Sequence, residues 1–134
     1  MRIPKAREIP TVLRCGALAA LVPVMVKALP LPRVLSMLEP KRKLRSSCDA
    51  EHLARMAGAA VRFAPRFGVG ECLIRSLVLY NLLRRSAYNA VLLIGGRLCE
   101  NEFDCHCWVE VNGKSLHESD DPGKIFKIFY RFEV

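Results

Sequence analysis

The sequence predicts an α+β fold, with helices first and a small antiparallel sheet last. Up to about residue 85 the apolar residues recur at spacings of three and four, as on helix faces. Beyond that point a strand-length apolar run, an alternating segment and an Asn-Gly pair follow one another, which reads as strands and a hairpin. The chain has 134 residues, 51% of them apolar and 25% charged, enough for one modest core and too apolar for disorder.

Met1 to Pro10 is a basic, proline-punctuated arm, and residues 15–26, CGALAALVPVMV, are an unbroken apolar run. The run alone is shorter than the roughly 20 residues that a membrane span needs. Arg2, Lys5 and Arg7 before it and Val26-Lys27-Ala28 after it have the outline of a signal peptide. Pro23 interrupts the run and an amphipathic stretch, Leu29 to Leu38, follows at once, which favours a helical hairpin lying on the domain or on a membrane surface. The basic segment Pro40 to Ser47 marks the sharpest shift in composition, so residues 1–45 are expected as a helical segment with linker and 46–134 as the core. Asp49 caps a helix carrying Leu53, Met56, Ala57, Ala60, Val61 and Ala64, which ends near Pro65; His52 in its first turn is expected to be exposed.

Arg66 to Glu71 is a loop, and Cys72 to Arg85 is a largely buried helix with basic residues at its carboxyl end, where the dipole favours them. Ala90 to Ile94 is a central strand that Gly95-Gly96 should stop. Phe103 to Val111 alternates, with His106, Trp108 and Glu110 on one face and Cys107, Val109 and Val111 on the other. Asn112-Gly113 turns the chain into a returning strand, Lys114 to Glu118. An acidic break at 119–123 leads to a last strand from Ile125, with Phe126, Ile128, Tyr130, Phe132 and Val134 on one face.

The chemistry centres on Gly70-Glu71-Cys72, which seats a cysteine in the first turn of a helix. A thiol attacks as its thiolate, and unpaired backbone N–H groups at a helix start stabilise negative charge. A histidine in reach would complete a nucleophile and base, and His106 is the candidate. The turn decides which acid could join them. With a two-residue loop, pairing partners sum to 225, placing Ser119 opposite His106 and His117 and Asp121 diagonal to it. With a three-residue bulged loop they sum to 224, and Glu118 faces His106. Glu110 shares the face of His106 but lies two residues further along.

Six cysteines, unevenly spaced at 15, 48, 72, 99, 105 and 107, read as free or buried thiols in a reducing compartment. A zinc site from Cys99, Cys105, Cys107 and His106 or His117 is a rival, but alternation sends His106 to the face opposite its two neighbours. A second rival is a non-enzymatic basic module that binds nucleic acid or membrane through Lys41-Arg42-Lys43 and the first helices, suggested by the net charge of +8.

The run Cys72-Leu73-Ile74-Arg75-Ser76-Leu77, the helix end Leu82-Leu83-Arg84-Arg85, the strand Ala90 to Gly95 and His106-Cys107-Trp108-Val109-Glu110-Val111-Asn112-Gly113 resemble the transglutaminase-like cysteine peptidases of lasso-peptide biosynthesis, over about residues 60–122. The resemblance implies a papain-like core and removal of the leader from a ribosomally made precursor. It implies two partners, a small leader-recognition protein and an asparagine-synthetase-like cyclase, and a cytoplasmic setting, with no cofactor or metal. It places the nucleophile on Cys72, the base on His106 and the acid on Glu118, which favours the bulged register. Glu118 stands where Asp is usual, and Cys107 where alanine commonly follows the histidine.

Overall fold

A computed structural model describes residues 9–41, 49–64, 68–116 and 121–133. Four helices precede a four-stranded sheet: α1 Ile9–Ala28, α2 Leu31–Leu38, α3 Ala50–Phe63 and α4 Glu71–Arg85. The strands are β1 Ala90–Cys99, β2 Glu102–Val111, β3 Lys114–Ser115 and β4 Lys127–Phe132, with a short helix α5 at Pro122–Ile125. Their order is β3-β2-β1-β4, so β1 is central, and β2, β3 and β4 each pair with their neighbours antiparallel. The α+β class with leading helices is therefore the one observed.

Helix α1 exceeds the apolar run that announces it. It spans 20 residues with Pro23 inside, long and apolar enough to cross a membrane, whereas residues 15–26 by themselves were too short. Its inner side, Cys15, Ala19, Val22 and Met25, is buried in the same core as α3 and α4. Helix α2 is tied to α4 by polar groups: Arg84 donates to Glu39 at 2.9 Å and Tyr80 Oη donates to Glu39 at 3.0 Å. Asp49 caps α3 by accepting from the His52 N–H, as expected, but His52 is half-buried and not exposed.

Two strand boundaries differ from the sequence reading. Gly95-Gly96 does not stop β1, which runs on to Cys99 and pairs with β2 from Ala90↔Val111 to Cys99↔Glu102. A glycine in a strand can instead admit a neighbour where a Cβ would intrude. At Gly96 a Cβ would lie 2.5 Å from the Phe103 ring, and at Gly95 it would lie 2.8 Å from Phe126 Cβ. The last strand is shorter than expected, because Asp121 caps α5 first and β4 starts at Lys127. A register shift opposite Ile94 and Gly95 then breaks the single-face alternation, since Tyr130 pairs with Ile94 and Ile128 with Gly95.

One sheet face, carrying Ala90, Leu92, Cys107, Val109 and Val111, closes over the helices. The other carries Leu93 and Trp108, both buried, together with His106 and Glu110. The division within β2 is the one that alternation predicts.

Candidate active site

Gly70 is extended ahead of α4 and brings no side chain to cap the helix, and the first helical bond runs from the Ile74 N–H to the Gly70 carbonyl at 3.2 Å. The amides of Glu71, Cys72 and Leu73 therefore point out of the first turn without a helical acceptor. Cys72 is half-buried against the core, and its thiol makes no hydrogen bond among the described residues. A negative charge growing beside Cys72 would meet both the amides and the positive end of the helix dipole.

The position of α4 along β2 follows from two contacts. The Ser76 hydroxyl, one turn beyond Cys72, donates to the Cys107 carbonyl at 3.0 Å in the buried interior. Tyr80, another turn on, meets the Phe132 ring edge-to-face at 5.8 Å, and Phe132 pairs with Leu92, itself the partner of Val109. Four helical residues rise about 6 Å and two strand residues nearly 7 Å, so helix and strand keep pace. Carried back one helical turn at the same pace, the count takes Cys72 to about Cys105, one residue short of His106. Ser76 was not singled out by sequence reasoning, although its place four residues after Cys72 on the same helix face was the available signal.

His106 sits in an aromatic stack. Its ring lies 5.8 Å from Trp108 and 5.2 Å from Phe126, nearly parallel to each, and Trp108 Nε1 donates to Glu110 at 3.0 Å. Arg97 covers the outer side of the Phe126 ring at 5.1 Å. This is the face of β2 turned away from α4, whereas Cys107 faces the helices. The structure thus sets the Cys72 thiol on the helix side of β2 and the His106 imidazole on the other. No hydrogen bond joins the two groups among the described residues. Phe126 is a further residue at the site that the sequence did not disclose, because its position depends on the shifted register of β4.

The turn takes the two-residue form. Asn112 and Gly113 both have positive φ, 54° and 79°, the geometry of a type I′ hairpin. Glu110 pairs with Ser115, Val111 with Lys114, and the Leu116 N–H donates to the Val109 carbonyl, so partners sum to 225. The bulged alternative, which would set Glu118 opposite His106, is not the one formed at this turn. Glu118 itself and His117 lie outside the described residues. Among the described residues no three His, Cys, Asp or Glu side chains converge as metal ligands, and Cys15, Cys72, Cys99, Cys105 and Cys107 form no disulfide.

Residues 10–131 match the family described as Transglutaminase-like superfamily. That span runs from Pro10 in α1 to Arg131 in β4, with Cys72 and His106 inside it. No curated protein and no solved structure gives a match.

Proposed function

The chain belongs to the transglutaminase-like superfamily, whose fold is consistent with a cysteine peptidase, and from that premise we propose that it removes the leader of a ribosomally made lasso-peptide precursor. The observation that carries the reading is the first turn of α4, a half-buried cysteine beside three outward amides at the start of a buried helix. In this reading Cys72 Sγ attacks the carbonyl at the leader–core junction, forming a thioester as the C–N bond breaks. His106 takes the thiol proton and passes it to the departing amine. It then takes a proton from water, which attacks the thioester and releases Cys72. In this reading the Cys72 amide donates to the oxyanion. Glu118 is the proposed partner that orients the imidazole.

The proposal demands movement. The imidazole must leave the Trp108–Phe126 stack and come round to the helix side of β2 before it can serve Cys72. We assign that rearrangement to the bound precursor and a separate leader-recognition protein, and the released core passes to an asparagine-synthetase-like cyclase in the bacterial cytoplasm. Full chain, recognition protein and precursor incubated together should yield leader and core fragments by mass. The chain alone should be much slower. Cys72→Ala should abolish the fragments while the protein keeps its thermal unfolding midpoint, and undiminished cleavage by that variant would refute the assignment.

A further inference from the structure

Helix α1 has two apolar sides, and among the described residues only one of them packs into the core. Cys15, Ala19, Val22 and Met25 face α3 and α4 and are buried. Ile9, Leu13, Leu21 and Val24 occupy the opposite side and stand 47%, 68%, 55% and 52% exposed, with exposed Gly16, Ala17 and Ala20 between them. Spacings of four and three keep these positions on one outer stripe. From Cys15 to Val26 the helix holds no charged residue. A continuous apolar stripe of this length left to water is the kind of surface that docks on a partner or a membrane.

Charge identifies what it docks on. Within Ile9–Leu38 the charged residues are Arg14, Lys27 and Arg33, all basic, and no Asp or Glu occurs there. The whole chain carries a net charge of +8. A second copy would bring the same positive charge to a self-complementary contact, where like charges oppose each other. An anionic phospholipid surface offers acyl chains to the stripe and opposite charge to the rest of the protein. The inner side of α1 could not enter a bilayer without stripping Cys15, Ala19, Val22 and Met25 from the core, so the helix lies on the surface and does not span it.

We propose that the outer stripe of α1 docks this protein, folded, onto an anionic membrane surface. The test is co-sedimentation of the full chain with vesicles of equimolar phosphatidylglycerol and phosphatidylcholine, and with phosphatidylcholine alone, at low and high salt. The chain should sediment with the anionic vesicles at least about tenfold more strongly than with the neutral ones, and less so as salt rises. A triple variant, Leu13→Ser, Leu21→Ser and Val24→Ser, should lose at least about tenfold of that binding, because three apolar contacts with the acyl boundary are gone. Its thermal midpoint should stay within a few degrees of the parent's, since all three side chains face outward. Equal binding by the triple variant, or no binding to anionic vesicles, would overturn the proposal. So would a concentration-dependent dimer that the triple variant abolishes without any vesicle binding, because the stripe would then belong to self-association.

Discussion

Replacing Gly95 by alanine tests how tightly the aromatic stack around His106 closes on β1. Gly95 is buried in β1 between His106 of β2 and Ile128 of β4, where the register of β4 shifts. An added Cβ would lie 2.8 Å from Phe126 Cβ, 3.0 Å from Trp108 Cη2 and 3.1 Å from the Lys127 carbonyl oxygen. Two of these three atoms move only with the backbone, so no rotamer change relieves the clash. Overpacking of this kind costs about 1–3 kcal/mol. Loss of the glycine's unfolded-state freedom returns about 0.5–1 kcal/mol. The net is a destabilisation of about 1–2 kcal/mol. With an unfolding entropy of about 2.1 cal/mol/K per residue, a chain of 134 residues should melt about 4–7 °C lower. Gly16→Ala is the control, because nothing lies within 4 Å of its Cβ position in α1, and it should gain about 1 kcal/mol of helix propensity and melt higher. Thermal and urea unfolding, followed by fluorescence of Trp108, the single tryptophan, would measure both. A Gly95→Ala protein as stable as the parent, with unchanged Trp108 emission, would refute the tight stack.

Glu39→Ala should destabilise by about 3–5 kcal/mol in urea titrations, because it strands the buried Arg84 guanidinium and the Tyr80 hydroxyl together; adding Arg84→Met should recover part of the loss. Burial pushes the Cys15 thiol up to about 12, so the folded state holds a proton that the unfolded chain releases from the ordinary thiol range near 9. Stability from this group is complete below about pH 9 and falls as pH rises toward 12, by up to about 1.4 kcal/mol per unit; Cys15→Ala should flatten that slope. Tyr80, raised by burial and by its bond to Glu39, adds a decline of the same sign at higher pH. Phe126→Ala removes one of the two rings that hold His106, each contact being worth about 0.5–1.5 kcal/mol. If that stack restrains the imidazole, the proposed precursor cleavage by the chain alone should rise about two- to tenfold, and no rise would sever the stack from catalysis.

Much of the fold could be read from the chain because period and punctuation agree at most positions. Asp49 caps where the apolar spacing begins, Gly70 precedes the buried helix, and Asn112-Gly113 joins two alternating strands. The failures have a common cause. Gly95 and Gly96 look like a stop in one dimension, yet in three they make room for Phe126 and Phe103, which only the paired strands bring close. The tail looks like a continuous alternating strand from Ile125, but the Asp121 cap and the bulge opposite Gly95 turn Ile128 and Tyr130 to different faces. At the candidate site the sequence disclosed Cys72 at a helix start and His106 on a strand. It also separated the face of His106 from that of Cys107. It did not disclose which of those faces meets α4, because that depends on the register between helix and sheet.

That register constrains how any Cys72–His106 chemistry could arise. A strand repeats every two residues, so Cys107 and His106 cannot both face α4 while β2 stays regular. Sliding β2 by one residue would bring the imidazole round to the helices. The same slide would turn Val109 and Val111 out of the core, at roughly 1.5–3 kcal/mol each, and drive the Trp108 indole and the Glu110 carboxylate into it. It would also break the Ser76 bond to the Cys107 carbonyl. A whole-strand slip therefore costs a large share of the 5–15 kcal/mol that holds a typical domain together. Movement confined to His106 gives up its ring contacts with Trp108 and Phe126, about 1–3 kcal/mol, and leaves Val109, Val111 and the Ser76 bond in place. The energetic comparison favours a local swing of the imidazole, with the valine ladder of β2 left in place beneath α4.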